Sequence, residues 1–572
     1  MQQISRRTFL RRSMASAIGL GVMGSPLKSW ARFEECDFCI VGGGAAGSIV
    51  ARRLYDAGYT VLLLEAGGPD DSKAPVPPFC PAPGFCFPQE TINDAIRSLE
   101  LHSLFSLWPP SAPGFVEWGF SPEEERHLDK SNMVPLIAGK VVGGGDSMNG
   151  RISVRGDPRT YDHWERLGNE GWGYDDVLPY FKKFEDYHGP DDTNRGSGGP
   201  IPIITPPFES QAAQAFVEAA LSLGSPKFNQ VSFATKQENT VNFVESNTDP
   251  DSLTRVSTAI GYLHPIDGKP NFTLRTGALV TRVLINHGRA IGVEYLDSTG
   301  LHTVRATSEV IISAGAYNTP KLLMLSGVGP AEQLRSFGIP VVVNLPGVGQ
   351  NLQDHTLARI EFSLDQGLNA GEALTMIQTI SEATLFTKVL HSSPSDPSDL
   401  QLFCGGFTFS GSPGVALVPI TAQQESVGSV TLRSANPQDK PLIIHNYLQS
   451  ERDIKVLLAG VDLCRELFDQ KAFDDIRGSG TELPPSAGLT KKKDLIEEFL
   501  RKFSTTDWHP SCSCRMGHDR MAVVDPQLRV RGLRGLRVVD ASVMPRIPSG
   551  NIHLTCYMIG EKGAAMILTG QS

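Results

Sequence analysis

The stretch Trp508 to His518, WHPSCSCRMGH, gathers His509, Cys512, Cys514 and His518 within ten residues. Two chemistries suit those residue types. One is a metal site, but zinc-ligand pairs are usually separated by about two to four residues. Cys512 and Cys514 have a single residue between them, and no second pair of matching spacing occurs elsewhere in the chain. No metal is therefore expected. The other chemistry is proton transfer. An unperturbed imidazole titrates near pH 6.5, which suits a base at neutral pH. Pro510 restricts His509 to extended backbone, so the histidine is expected on a fixed loop rather than a helix.

A second constellation lies in CDFCIVGGGAAGSIVARRLYDAGYTVLLLEAGG, residues 36–68. Cys36 to Val41 reads as an apolar strand, and Gly42, Gly44 and Gly47 follow at once. Ser48 to Ala57 has helical spacing, and Thr60 to Leu64 is a second apolar strand ending at Glu65. This is a complete dinucleotide-binding βαβ unit. Gly42 permits the tight turn, Gly44 lets a pyrophosphate approach the helix N-terminus, and Gly47 lets helix and strand pack closely. Glu65 can accept hydrogen bonds from an adenosine ribose. That acid suits NAD and FAD alike, so the fingerprint does not choose between them.

The elements that must position these residues belong to a chain of 572 residues. That length implies roughly two to four domains. A composition of 40% hydrophobic and 20% charged residues is that of a globular protein. A net charge of −10 argues against nucleic acid and strongly anionic membrane surfaces, which require basic patches. No apolar run reaches the roughly 18 residues of a spanning helix. The first 31 residues read as a signal peptide: Arg6-Arg7 and Arg11-Arg12 precede a short apolar run from Met14 to Met23. SRRTFLRR resembles the twin-arginine export motif, which predicts a bacterial protein exported to the periplasm or beyond. The nine cysteines leave disulfide pairing open. Cys80 and Cys86 flank PAPGF and could close a small loop. Cys36 and Cys39 are not expected to pair, because i and i+3 in a strand face opposite sides.

Four further stretches carry a resemblance. They are AGKVVGGGDSMNGRISVRGDPRTYDHWERLGNEGWGYDDVLPYFKKFE (138–184), SAGAYNTPKLLMLSGVGP with LPGVGQNLQDH (313–330 and 345–355), DWHPSCSCRMG (507–517), and VVDPQLRVRGLRGLRVVDASVMPRIPSGNIHLTCYMIGEKGAAMI (523–567). With the N-terminal fingerprint, and in this order, they resemble the glucose–methanol–choline (GMC) oxidoreductases. The resemblance implies an α/β, doubly wound, Rossmann-like FAD-binding domain. It also implies an α+β substrate domain with a large antiparallel sheet. The FAD-binding domain is expected from 35–70, 136–155, 225–335 and 505–572, and the substrate domain from 156–224 and 336–504. Residues 71–135 form a proline-rich lid or surface excursion, with AIRSLELHSLFSLW as a candidate amphipathic helix and docking place. LFCGGFTFSGSPGVALVPI (402–420) and GSVTLRSANPQDKPLIIHNYL (428–448) read as strands of the substrate-domain sheet, the first as an apolar pocket wall.

The implied reaction is oxidation of an alcohol to an aldehyde or ketone, with hydride passing to flavin N5. The family's catalytic pair falls on His509, as base, and His553, as partner; the competing reading of each is a satisfied structural histidine. Cofactor contacts carry over to Gly42, Gly44, Ala45, Gly47, Glu65 and Ala66 in the fingerprint. Others fall on Gly143, Gly144, Asn149 and Gly150 in the second glycine-rich loop. Val280, Ala314, Asp540, Ala541 and Asn551 complete the set. From the residues alone, Asp540 follows an apolar strand and can bond a ribityl or diphosphate region. The helix beginning after PSGN can aim a positive dipole end at reduced flavin.

Three positions depart from the family pattern. Asp146 replaces a serine, and an unpaired carboxylate there would disfavour anionic reduced flavin. Ala138 replaces an arginine. Met148 stands where some members attach FAD through histidine, so non-covalent FAD is expected. A small alcohol is the expected substrate, and oxygen, a quinone or a cytochrome the expected acceptor, with or without an accessory electron-transfer subunit. The alternative is a non-oxidising use of the same scaffold, as a lyase or fatty-acid photodecarboxylase.

Overall fold

The apolar run that ends at the first glycine turn is the centre of the larger parallel layer. In the computed structural model, β1 (Glu34–Val41), α1 (Ala45–Asp56) and β2 (Val61–Leu64) follow in close succession. β1 and β2 are parallel, with Phe38 opposite Val61 and Val41 opposite Leu64. The structure describes residues 34–70, 117–364, 381–405, 414–483 and 493–570, less short gaps at 124, 129–135, 191–192, 208, 225–226, 233, 235–236 and 391–392. The expected signal peptide, most of the 71–135 excursion with its candidate helix, Cys80 and Cys86 lie outside the described residues. The chain from Glu35 onward forms one compact unit.

The first sheet continues through β3 (Phe272–Arg275), β4 (Leu279–Asn286), β5 (Arg289–Asp297), β6 (Gly300–Ile312) and β7 (Leu536–Val538). Its order is β3-β2-β1-β6-β5-β4, with β7 also on β6. The β3–β2 and β7–β6 pairs are parallel, and β6–β5–β4 is an antiparallel meander. Burial on both faces explains the unbroken apolar runs of β1 and β2. α1 turns Ala46, Ile49, Val50 and Leu54 inward, and packs against α3 (His553–Thr569), reached after α2 (Gly315–Leu325). A side chain at Gly560 would put its Cβ 3.1 Å from the Ala46 Cα, so the crossing is close enough to favour glycine. Arg53 of α1 clamps Glu561 of α3 at 2.6 Å.

Among the described residues the second sheet has eight strands. Its main path runs Arg477–Leu483, Ile360–Leu364, Gly414–Thr421, Leu400–Gly405, Ala383–Thr387 and Thr240–Phe243, all antiparallel. Thr356–Leu357 and Thr505–Thr506 add two short strands at one corner. Helices Gln211–Ser222 and Glu451–Phe468 cover one face. The period of two in Leu400–Gly405 decides which side chains go where. Leu400, Leu402 and Cys404 join the cluster beneath the helices. Gln401 and Phe403 take the opposite face, and Phe403 lies in a separate buried cluster with Ile152 and Val154.

Two expectations need correction. The 428–448 hairpin does not join the large sheet. Its strands Gly428–Thr431 and Leu442–Ile444 pair with Gln350–Leu352 in a three-stranded sheet of their own. The segments 225–335 and 505–572 are also not confined to the parallel layer. Thr240–Phe243 and Thr505–Thr506 are hydrogen-bonded into the antiparallel sheet, because β pairing there is long-range and leaves little trace in local pattern. Cys36 and Cys39 are buried, and no disulfide forms among the described residues.

Candidate active site

A cavity of about 380 Å³ runs from the β1 turn to the 507–510 loop. At its β1 end two glycine turns lie back to back. The Gly143 N–H donates to the Gly43 carbonyl at 2.7 Å, and a Cβ on Gly144 would lie 3.0 Å from the Gly44 Cα. Gly42, Gly44, Ala45, Glu65, Ala66, Gly144, Asn149 and Gly150 all line the cavity. So do Val280, Ala314, Asp540, Ala541 and Asn551. Gly47 and Gly143 do not line it. A Cβ on Gly47 would meet the Gly42 carbonyl oxygen at 2.1 Å. Gly143 takes φ +88°, and its Cβ would lie 2.1 Å from Ser147 Oγ. Both glycines shape the turns rather than present a ligand surface.

Glu65 accepts backbone N–H donors from Gly43 at 2.8 Å and Gly67 at 2.7 Å, one on each oxygen. Each oxygen keeps a lone pair for a ribose hydroxyl. Asp540 differs. Its oxygens already accept from the Gly315 N–H, Thr319 Oγ1, the Ser542 N–H and Ser542 Oγ. Four donors fill its acceptor sites. Asp540 thereby fastens the start of α2 while lining the cavity. Among the described residues the first turns of α1 and α3 carry no side-chain cap, and both line the cavity with the positive end of the helix dipole. These features fit a dinucleotide carrying a flat ring system, as FAD does.

Asp146 is paired. Tyr557 donates its hydroxyl to Oδ1, and the Thr258 N–H donates to Oδ2 at 2.6 Å. Burial pushes its carboxyl up, against these bonds and the nearby Arg255 charge. The serine-to-aspartate departure therefore builds a polar network beneath the loop. Met148 and Ala138 both line the cavity.

The other end of the cavity is made by side chains far apart in sequence. Strand Thr505–Thr506 pairs with Thr356–Leu357, and the Asp507 N–H donates to the His355 carbonyl at 2.9 Å. Asp354 accepts the His509 N–H on Oδ1 at 2.8 Å. Its Oδ2 accepts Thr506 Oγ1 at 2.6 Å and the Tyr447 hydroxyl. Trp508 turns through φ +55° between these anchors. His509 is thereby aimed into the cavity, with Nδ1 3.0 Å from His355 Nδ1 and Nε2 3.3 Å from Asn551 Nδ2.

His553 lines the same cavity from the first turn of α3, and its Nε2 is buried without a hydrogen-bond partner among the described residues. Burial, aided by the Arg255 charge, pushes it down to about 3. Burial pushes His355 down to about 4. Burial, then His355 and His553, hold His509 well below the usual histidine range. All three are neutral near pH 7, so His509 can accept a proton.

Asp354 and His355 carry no site role in the sequence reading, although LPGVGQNLQDH ends on them. Two titratable residues closing a loop of mostly small and polar residues was the available signal. Cys512 and Cys514 are fully buried in the core, and His518 is exposed on the surface. His355, Asp507 and His509 instead bring ligand-type atoms within 4.8 Å of one another. A shared proton accounts for the 3.0 Å separation of the two imidazole nitrogens without an ion.

Comparison with known proteins agrees with this geometry. The GMC oxidoreductase family matches twice, over residues 36–357 and 424–560. An oxygen-dependent choline dehydrogenase of Brucella anthropi is 37% identical over 560 residues, covering 93% of this chain and 96% of that protein. The mitochondrial choline dehydrogenase of Mus musculus is 35% identical, covering 97% of this chain and 94% of that one. Among solved structures, pyridoxine 4-oxidase from Mesorbium loti superposes with a TM-score of 0.78 at 29% identity, covering 93% and 98% of the two chains. An Aspergillus oryzae formate oxidase gives 0.79 at 26% identity, covering 94% and 98%. The chain belongs to the GMC oxidoreductase family. It is an FAD-dependent oxidoreductase acting on CH–OH donors, with an FAD-binding part and a substrate part.

Proposed function

We propose that the protein oxidises a small alcohol to an aldehyde or ketone, with His509 as the base and His553 as its partner. The observation that carries this reading is a neutral, loop-anchored His509 sharing one cavity with the uncapped first turn of α3 and the two glycine turns. Bound FAD supplies the hydride acceptor, at flavin N5. His509 Nε2 takes the hydroxyl proton as the carbon gives up hydride. The orphaned Nε2 of His553 is free to bond the substrate oxygen and orient it. Phe403 and Trp508 provide apolar walls and restrict water.

Met148 stands where some members carry the histidine that attaches FAD, which supports non-covalent FAD. The basic, then apolar, N-terminus supports export by a twin-arginine route. Among the described residues no helix is long and apolar enough to cross a membrane. Oxygen, a quinone or a cytochrome then takes the electrons. Choline, acted on by the two dehydrogenases above, is the first alcohol to try.

The test is a panel of alcohols, choline included, added anaerobically to purified flavoprotein. Flavin bleaching by at least one alcohol, followed by recolouring with oxygen, a quinone or a cytochrome, is the expected result. Intact flavin that no alcohol bleaches would overturn the proposal and favour a non-oxidising use of the scaffold.

A further inference from the structure

The base has a carboxyl group behind it. Asp507 Oδ2 lies 3.3 Å from His509 Nδ1, with both side chains about nine-tenths buried. Asp507 lines the same cavity, and its Oδ2 has no hydrogen-bond partner among the described residues. A buried acceptor left in that condition is costly and calls for a reason.

The hydrogen-bond chain on the far side of the imidazole supplies one. Thr384 Oγ1 donates to the Leu402 carbonyl at 3.1 Å, so towards Gln401 Nε2, 3.5 Å away, it can only accept. Gln401 therefore presents its amino group, which also donates to Asn551 Oδ1 at 3.0 Å. Asn551 in turn presents its amino group to His509 Nε2 at 3.3 Å. Nε2 is then the acceptor of a neutral ring, and the ring proton sits on Nδ1. That Nδ1–H donates to His355 Nδ1 at 3.0 Å, which leaves the His355 proton on Nε2, buried and without a hydrogen-bond partner among the described residues.

We propose that Asp507 is a positioning residue for the oxidation: its carboxylate, 3.3 Å behind Nδ1, favours the ring proton on that nitrogen through its charge and compensates the imidazolium formed as Nε2 accepts the substrate proton. The inference rests on His509 being the base. In the step itself the hydroxyl proton goes to Nε2 and the hydride to the flavin. No bond to Asp507 forms or breaks. The long Asn551 contact at Nε2 yields to the substrate hydroxyl. Oδ2 is thus poorly satisfied in the ground state and well satisfied when positive charge develops, which is the differential stabilisation catalysis requires. The charged and titratable groups facing the pair are Asp354 and His355 from the 353–357 segment and His553 from α3. Burial and Asp354 push the Asp507 carboxyl well above its usual range, and burial pushes His509 down. Each group resists charge alone and accepts it beside the other.

The experiment is Asp507→Asn, with Asp507→Glu alongside, in the FAD-loaded protein. Anaerobic flavin bleaching by a competent alcohol is followed against pH. Without the carboxylate the imidazolium is less stable, so the acid limb of the bleaching rate moves to lower pH. The plateau rate falls about tenfold or more as the base weakens. Flavin content and melting temperature stay near wild type, and Asp507→Glu recovers part of the plateau. An Asn variant with the wild-type plateau and acid limb would overturn the inference. So would a stoichiometric metal ion found in the purified protein and lost in Asp507→Asn. His509→Ala separates the two readings. If it bleaches at the wild-type rate, the base assignment itself fails; if it is inactive while Asp507→Asn is normal, only the role of Asp507 fails.

Discussion

The two ends of the cavity are built on different principles. The cofactor end is made of backbone: glycine turns stacked on each other, uncapped helix starts, and a glutamate bonded to N–H groups within its own loops. The substrate end is made of side chains, and its key contacts span 154 residues, from His355 to His509, and 155, from Asp354 to the His509 N–H. A backbone cradle tolerates few changes where an added Cβ finds no room. A side-chain site can be retuned one residue at a time.

The sharpest break between the two ends is expected at Gly47. Replacing it with valine drives Cβ into the Gly42 carbonyl, 2.1 Å away, so the variant should lose flavin and cooperative folding together. Absorbance at flavin wavelengths and a thermal melt would check this. Asp354→Ala should behave differently. It strands the His509 N–H, Thr506 Oγ1 and the Tyr447 hydroxyl, at about 1–3 kcal/mol for each buried donor left unmatched. Bleaching should fall by more than tenfold while most flavin remains bound. Equal losses of flavin and activity would erase the distinction between the ends.

Acid should attack the substrate end through its histidines. His355 and His553, at about 4 and about 3 in the folded protein, sit below the ordinary 6.5. The unfolded chain therefore binds more protons below pH 6.5, and stability is lost as pH falls from there towards 4 and 3. Each histidine contributes a few kcal/mol at most over that window. His355→Asn should flatten the corresponding part of the melting-temperature profile, and an unchanged profile would contradict the burial of a neutral imidazole. The smallest effect is expected at Asp146→Ser. It loses part of the bonding to Tyr557 and Thr258, so a drop in stability of about 1–2 kcal/mol by denaturant titration is expected, with alcohol bleaching retained.

This contrast also explains what was legible in the sequence. β1, α1, β2 and the cradle glycines are local features, each fixed by periodicity and turn chemistry within about thirty residues. His509 and His553 were reached through the resemblance and share one cavity. Asp354, His355 and Asp507 escaped notice because their roles depend on a corner of the antiparallel sheet, where Thr356–Leu357 meets Thr505–Thr506. The placement of Thr240–Phe243 and of the 428–448 hairpin was missed for the same reason. Asp540 was placed in the site from the sequence, but its bonds to 315–319 and Ser542 were not legible there.

The central claim is that His509 takes the substrate proton. Its most direct test is a single-turnover, anaerobic reduction of FAD-loaded His509→Ala by an alcohol that bleaches the wild-type protein. The account predicts a fall in the reduction rate of about 10²- to 10⁴-fold with flavin content unchanged. Reduction within a few-fold of wild type would contradict it.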